Sequence, residues 1–230
     1  MVTRPREHAS GLARLIEGAG GRALLFPAIE IEPLDCPALL EQYDLAIFVS
    51  PSAVQHAPAM PAGVVFAVGP GTRRELERRG VHAVAPAQGA DSEALLALPA
   101  LQDVAGKRIV IVRGQGGREL LGDTLAARGA RVTYAQCYRR VRPAADARRL
   151  RQALARGEIH AVTISSAEGL DNLLDILGAA DSGMREALAW VVPHARVAAH
   201  ARARGLAQVL VAGPGDDEML ARLVAYFDAS

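Results

Sequence analysis

The feature that most constrains the fold of this chain is an internal repeat. Residues 2–30 match residues 111–139 at a constant offset of 109 positions, so that Arg4 corresponds to Arg113. Two further blocks follow in the same order at slightly larger offsets, of 115 and 125 positions. Such self-similarity is the signature of a duplicated architecture. The 230 residues are therefore predicted to be a tandem duplication of a unit of about 110 residues.

Each repeat alternates short apolar runs with helical patterns. In the second copy, residues 107–112 are rich in β-branched side chains, and residues 118–128 carry leucines at helical spacing before Gly129. Apolar strands alternating with amphipathic helices form a parallel sheet with helices on both faces, so the fold class is predicted to be α/β. Only three residues precede Arg4, so the first strand is expected to be short. Further strands are predicted at 44–49, 64–68, 83–85, 161–164, 189–192 and 209–211, and further helices at 72–79, from 91, and at 218–227.

Two segments break this pattern. Residues 27–33 alternate apolar and acidic side chains between two prolines, whereas the matching residues 136–143 alternate apolar and basic ones. Alternation bounded by proline is typical of an exposed two-stranded ribbon, and opposite charges favour pairing across it. The chain is predicted to cross between two lobes at both places. The same pairing brings Cys36 and Cys137 together, and we expect both thiols to stay reduced.

Composition excludes several classes of protein. Half of the residues are apolar and the formal net charge is +1, which excludes a disordered chain and disfavours a nucleic-acid partner. No apolar run approaches the roughly 18 residues that span a bilayer, and the N-terminus has no secretory signal. The two cysteines are too few for a disulfide framework or a zinc site. We expect a cytoplasmic globular protein that binds no metal.

Ligands of open α/β sheets bind at the carboxyl ends of the strands, so the strand-to-helix junctions are the places to examine. Five of the six junctions lack any carboxylate or thiol and offer hydroxyls, arginines, glycines and helix N-termini instead. Helix N-termini bind anions through free N–H groups and the helix dipole. The pattern favours a site for a small molecule with several negative charges. The candidate binding residues are Arg4, Ser50, Ser52, Thr72, Arg113, Gly114, Ser165 and Ser166.

Each of these positions also has a simpler structural interpretation. Serines at helix starts are common N-caps, and the acidic clusters at 91–93 and 216–218 are predicted to be helix caps. The loop that begins at Gly114 contains glycines typical of a phosphate loop but lacks the rest of a nucleotide-binding motif. Tyr138 lies in the predicted ribbon, where its repeat counterpart is Ile29. Its phenol can donate a proton or bind a substrate, and the alternative is a half-exposed strand tyrosine.

In their order and spacing, several motifs resemble those of uroporphyrinogen-III synthases. They cover essentially the whole chain: Val2–Pro5, Phe26–Pro33, Tyr43–Val54, Ala67–Thr72, Tyr138–Arg140 and Thr163–Ser166. The resemblance implies two flavodoxin-like parallel-sheet lobes joined by a two-stranded linker ribbon, with the first block of each repeat exchanged between the lobes. It implies one lobe of about 1–33 plus 143–230 and another of about 36–137, with linker strands at about 27–35 and 136–143.

The resemblance also implies an activity. That family converts hydroxymethylbilane, a linear tetrapyrrole with eight carboxylates, to uroporphyrinogen III with inversion of ring D and loss of water. For this chain it implies the same cyclising hydro-lyase activity, in haem biosynthesis, without cofactor or metal. Tyr138 matches a family tyrosine proposed to assist hydroxide departure, and Thr72 and Ser50 match family hydroxyl residues. Val197 stands where many relatives keep a hydroxyl.

The partners that the resemblance implies are few. They are the substrate hydroxymethylbilane and a transient contact with the preceding pathway enzyme, with no nucleic acid and no membrane, and the protein is expected to be a monomer. The alternative function is a non-catalytic two-lobed α/β protein that binds an anionic small molecule.

Overall fold

The computed structural model of the protein describes residues 1–36, 42–178 and 186–229. The chain divides into two compact units: unit 1 consists of Met1–Glu30 and Val141–Ser230, and unit 2 of Ile31–Arg140. These boundaries lie within a few residues of the lobes predicted from the sequence. The assignment of these units as two lobes stays a prediction.

Both units are built from short strands alternating with helices, and the predicted α/β class is confirmed. The strands are β1 (Glu30–Pro33), β2 (Leu45–Phe48), β3 (Val64–Ala67), β4 (Arg108–Gly114), β5 (Arg131–Val141), β6 (Ala161–Thr163), β7 (Ala189–Val192) and β8 (Val209–Val211). The helices are α1 (Arg6–Gly18), α2 (Pro51–His56), α3 (Pro70–Arg78), α4 (Ser92–Leu96), α5 (Leu120–Ala127), α6 (Ala147–Ala155), α7 (Ala167–Leu177), α8 (Ala195–Ala203) and α9 (Asp216–Phe227). Among the residues described, no helix is long and apolar enough to cross a membrane.

Unit 2 contains a five-stranded sheet in the order β1-β5-β4-β2-β3. Strands β2, β3, β4 and β5 are parallel to one another, and Val84 adds one bridge beyond β3, at Phe66, where a full strand was predicted. Every residue of the central strand β2 is buried, since helices cover both faces of the sheet. Side chains of α2 and α3 pack on one face and those of α4 and α5 on the other.

Unit 1 contains the parallel three-stranded sheet β6-β7-β8. Val2 extends it, because it bridges to Thr163 on one side and to Leu25 on the other. The first strand is thus reduced to one bridging residue, which confirms the expected short strand. Helices α6, α7 and α8 pack on one face and α1 and α9 on the other.

The two sheets share one strand order. In unit 1, if Val2 is strand 1, Leu25 strand 2 and β6, β7 and β8 strands 3 to 5, the order across the sheet is 2-1-3-4-5. In unit 2, β4 as strand 1, β5 as strand 2, and β2, β3 and Val84 as strands 3 to 5 give the same order. This is the flavodoxin-like order. Val2 and Leu25 belong to the first repeat but pair within the sheet of β6, β7 and β8. Conversely, β4 and β5 belong to the second repeat but lie in the sheet of β2 and β3, where β4 pairs with β2. The strand pairing therefore shows the exchange of first blocks that the resemblance implied.

The predicted ribbon corresponds to β1 and the end of β5. The N–H of Leu34 donates to the carbonyl of Cys137 at 3.0 Å, and Glu32 forms an ion pair with Arg139 at 2.7 Å. The two strands run in opposite directions, because higher numbers in one face lower numbers in the other. Opposite charges pair across the ribbon, as predicted.

Cys36 and Cys137 lie together, as this pairing predicts, with 4.9 Å between their Cα atoms. The structure joins them in a disulfide, so the expectation of two reduced thiols is wrong for this structure. The physical reason is the register, which places both side chains on the same side of neighbouring segments, close enough to bond.

Candidate active site

The carboxyl ends of β2, β3 and β4 lie along one edge of the unit 2 sheet, because these strands are parallel and in register. Phe48 pairs with Ala67 on one side and with Val112 on the other. We call this the carboxyl edge of unit 2. The candidate residues that follow or end these strands there are Ser50, Ser52, Thr72, Arg113 and Gly114, and Tyr138 of β5 pairs with Gly114.

The hydroxyl of Tyr138 contacts Ser50. The tyrosine is 1% exposed, so its interpretation as a half-exposed strand residue is wrong. Ser50 Oγ lies 3.0 Å from Tyr138 Oη, and either oxygen can donate. Ser50 Oγ also accepts the N–H of Ala53 at 3.0 Å as the N-cap of α2. Ser50 is therefore both a helix cap and a direct partner of the candidate catalytic phenol.

Two further side chains approach the Tyr138 ring. Arg140 Nη2 donates to Tyr138 Oη at 3.5 Å, and its guanidinium carbon lies 5.8 Å from the ring centroid, within cation–π range. The His56 ring centroid, at the end of α2, is 6.0 Å away. Neither residue was among the site residues predicted from the sequence. For Arg140 the signal was present, since it lies two positions beyond Tyr138 on the same strand and side chains at that spacing share a face.

A β-bulge sets the direction of Tyr138. Along β4 and β5, Arg113 pairs with Gln136 but Gly114 pairs with Tyr138, so Cys137 is the extra residue. Both Cys137 and Tyr138 are buried, although neighbouring residues of a regular strand point to opposite faces. Bulges commonly re-aim side chains next to functional sites. The bulge turns Cys137 towards Cys36 and Tyr138 towards Ser50.

Ser52 and Thr72 lie in the first turns of α2 and α3 and are 5% and 4% exposed. Both lie at the predicted edge and are largely buried. Helix α3 begins at Pro70 after Gly69, with no side-chain cap. Its first N–H groups are therefore not occupied by a capping side chain.

Arg113 lies at the predicted junction but is directed into the protein. It is 6% exposed, and its guanidinium donates to the backbone carbonyls of Gly114, Gly116 and Arg118. Its guanidinium carbon lies 4.8 Å from the centroid of the Tyr134 ring. This geometry argues against direct binding of a substrate carboxylate, because the guanidinium N–H groups already donate to carbonyls of the loop. Desolvation, followed by the charge of Glu119, raises the pKa of the Tyr134 phenol.

The junctions of unit 1 make contacts of their own. Arg4 forms an ion pair with Asp216, which offsets the charge that was predicted to attract an anion. Ser166 accepts the N–H of Gly169 at 3.1 Å as the N-cap of α7, so the capping interpretation is confirmed there. Ser165 follows β6 immediately before this cap and is half-buried.

The two acidic clusters differ. Asp91 caps α4, because its Oδ1 accepts the N–H of Ala94 at 2.8 Å. The N-cap of α9 is Gly215, and Asp216 lies inside the helix, where it pairs with Arg4. The cap prediction is therefore right for the first cluster and wrong for Asp216.

A cavity of about 400 Å³ lies in unit 1, away from the junctions. It is at the amino ends of the strands, since Met1 and Ala161 line it together with Leu223 and Phe227 of α9. The predicted site residues do not line it. Across residues 1–36, 42–178 and 186–229, no group of three or more His, Cys, Asp or Glu side chains is placed to hold a metal ion.

Comparison with known proteins decides the family. The family model described as Uroporphyrinogen-III synthase HemD matches residues 10–221. The chain belongs to the uroporphyrinogen-III synthase family. It is 34% identical over 247 aligned positions to the uroporphyrinogen-III synthase of Escherichia coli (strain K12), covering 96% of this chain and 98% of that one. It is 39% identical over 157 positions to that of Salmonella typhimurium, covering 61% and 64%.

Solved structures of family members share the fold. A mutant uroporphyrinogen III synthase from the extremely thermophilic bacterium Thermus thermophilus superposes with a TM-score of 0.64 at 22% identity, covering 100% of this chain and 98% of that one. The Helicobacter pylori uroporphyrinogen-III synthetase gives 0.67 at 12% identity, with coverage of 90% and 94%. At these identities the likeness is one of fold, and it agrees with the α/β class described above.

Proposed function

We propose that the protein converts hydroxymethylbilane to uroporphyrinogen III, with inversion of ring D and loss of water. The observation that carries the proposal is the family match across residues 10–221. The proposal includes a cofactor-independent enzyme that acts as a monomer in the cytoplasm. It also includes a transient contact with the enzyme that makes hydroxymethylbilane.

The carboxyl edge of unit 2 suits such a substrate chemically. Ser50, Thr72 and Tyr138 supply hydroxyls, Arg140 supplies a positive charge beside the phenol, and the start of α3 supplies N–H groups. Helix N-termini and cations favour the carboxylates of a tetrapyrrole. Because Arg4 and Arg113 are engaged by Asp216 and by the loop carbonyls, we assign carboxylate binding to these other groups. Ser52, Ser165 and Ser166 remain candidate contacts.

We assign the proton transfer to Tyr138. The carbon–oxygen bond of the hydroxymethyl group breaks, and the phenol proton accompanies the departing oxygen as water, leaving a phenolate and a positively charged azafulvenium. Ser50 and Arg140, which contact Tyr138 Oη at 3.0 Å and 3.5 Å, donate to the phenolate oxygen that remains. The proton lost from the ring-D carbon at ring closure restores the phenol. Positioned proton donors typically accelerate a reaction by about 10²–10⁴-fold. The rest of the rate enhancement comes from holding the linear tetrapyrrole in the curved conformation that leads to ring closure.

The test is an isomer assay. Hydroxymethylbilane is incubated with the protein, and the product is oxidised to porphyrin and separated into isomers. An excess of type III over a protein-free control, in which spontaneous closure gives type I, supports the proposal. Only type I, together with retained binding of hydroxymethylbilane in a titration, would identify a non-catalytic binding protein instead.

A further inference from the structure

Gly114 lies directly against the ring of Tyr138. A Cβ atom placed on Gly114 would stand 2.6 Å from Cε2, 2.7 Å from Cζ and 3.1 Å from Oη of that ring. Carbon atoms in contact without bonding prefer separations of about 3.5–4.0 Å. The first two distances are far below this range, so an alanine at 114 and the present position of the ring are incompatible.

The ring has little freedom to move away. Tyr138 is 1% exposed and packs in the core of unit 2. Its backbone is also held, because Gly114 is its pairing partner across the bulge and the N–H of Gln115 donates to its carbonyl at 2.7 Å. A displacement of the ring would therefore be taken up at its outer end, where the hydroxyl contacts Ser50.

The need for glycine at 114 is not conformational. Ten glycines of the described chain have positive φ, and Gly114 is not among them. An alanine would therefore fit the backbone and act through its methyl group alone. This separates Gly114 from glycines such as Gly106, whose φ of 73° disfavours any side chain while the space around it is open.

We propose that Gly114 is a positioning residue, which fixes the Tyr138 hydroxyl against Ser50 by leaving room for the ring. From the sequence, Gly114 was predicted to bind the substrate, whereas the role proposed here acts through the side chain of Tyr138. The expected effect of Gly114 on the reaction rests on the proposed function, whereas its expected effect on the position of the ring rests on packing alone.

The activity test compares Gly114→Ala with Gly106→Ala. Gly114→Ala is expected to lower kcat by about 10²-fold, since a misplacement of about 1 Å in a catalytic group can cost that much, and to release type I isomer, with KM nearly unchanged. Gly106→Ala is strained and lies at the amino end of β4, so it should lower stability with normal kcat per folded molecule. Equal kcat values for both variants and wild type would overturn the proposal.

A stability cycle tests the packing independently of the reaction. Gly114→Ala should lower the denaturation midpoint when Tyr138 is present and leave it unchanged in a Tyr138→Ala background, where the ring is gone. If Gly114→Ala does not fold, recovery of folding in the double variant supports the same conclusion. Equal destabilisation in both backgrounds would contradict it. If Tyr138→Ala keeps full activity while the cycle shows coupling, the role of Tyr138 in the proposed function fails and the packing inference stands.

Discussion

At the scale of single residues, packing holds the ring of Tyr138 in place, and the hydroxyl is the one polar end of the side chain. Its hydroxyl has two neighbours, Ser50 and Arg140, whereas its ring lies in the core. A side chain fixed in this way offers a proton at one place and cannot swing to another. Preorganisation of this kind is the property that a positioned proton donor needs.

The first prediction concerns Tyr138→Phe. The ring still fills its space, so stability should fall only by about 0.5–1.5 kcal/mol for the lost hydrogen bond. The kcat should fall by about 10²–10⁴-fold if the phenol supplies the proton. A slow variant that makes only type III would place Tyr138 in the chemical step, and one that also releases type I would place it in folding of the substrate. Wild-type activity for Tyr138→Phe beside an inactive Thr72→Val would refute the assignment.

The second prediction concerns Ser50→Ala. This change removes the cap of α2, at about 1 kcal/mol of stability, and also removes the partner of Tyr138. Asp91→Ala is the matched control, because it removes a cap of the same kind from α4. We expect similar losses in the free energy of unfolding for both variants and a fall in kcat for Ser50→Ala alone. Equal kcat values in the two variants would count against a role for Ser50 beyond capping.

The third prediction concerns Arg113→Lys. A lysine cannot reproduce the fork that reaches three loop carbonyls, so the change is not conservative here. Stability should fall by about 1–3 kcal/mol, the usual effect of leaving buried polar groups unpaired. Denaturant unfolding measures this directly. A rise in KM with unchanged stability would show instead that Arg113 binds substrate.

At the scale of elements, the Cys36–Cys137 disulfide ties the start of unit 2 to its last strand. The two residues are 101 positions apart, so the closed loop covers most of the unit. Cross-links over long loops stabilise mainly by restricting the unfolded chain, typically by about 2–4 kcal/mol. The disulfide also holds the extra residue of the bulge that directs Tyr138.

The fourth prediction follows from this connection. Adding a reductant should lower the free energy of unfolding of the wild-type protein by about 2–4 kcal/mol, and a Cys36→Ser/Cys137→Ser variant should not respond. Denaturant unfolding curves of the wild-type protein and of this variant, with and without dithiothreitol, measure the two responses. Two reactive thiols in protein that has been unfolded without a reductant would contradict the disulfide.

The ribbon and the bulge show what the sequence could and could not predict at this scale. The ribbon was predictable, because the acidic alternation at 27–33 and the basic alternation at 136–143 are local patterns. The bulge was not, because it depends on which residue of β4 faces Tyr138. The contacts of Arg113 were missed for a related reason. Its partners are backbone carbonyls, which every residue type carries.

At the scale of the whole molecule, the repeat predicted the topology. Two copies with the same strand order could be inferred from sequence offsets, since each copy carries its own strand and helix signals. The exchange of first blocks came from the family resemblance, because strand partners across such distances leave no local pattern. The reduction of two predicted strands to single bridging residues, Val2 and Val84, could not be predicted from the sequence either, since their pairing is set by the neighbouring strand.

The fifth prediction follows from the exchange of first blocks between the two repeats. The strands β2, β3 and β4, and all of β5 except Val141, lie within residues 31–140, so this fragment holds the parallel strands of unit 2. It should give a helical circular-dichroism spectrum and a cooperative denaturation curve. The fragment 1–106 is close to one repeat, yet it lacks Thr163, which pairs with Val2, and β4, which pairs with β2, and it should not fold. A folded 1–106 fragment beside an unfolded 31–140 fragment would show that the repeat is the folding unit.

The exchange also has a consequence for synthesis on the ribosome. Unit 2 is continuous in sequence, so all of its strands are synthesised before residues 142–230. Helix α1 and Val2 emerge first, but Val2 has to pair with Thr163 of β6 and α1 has to pack with α9. The earliest part of the chain therefore completes its structure last, and the apolar face of α1 stays without its partners through most of translation. The nascent chain must keep this face from aggregating while the middle of the protein is already folded.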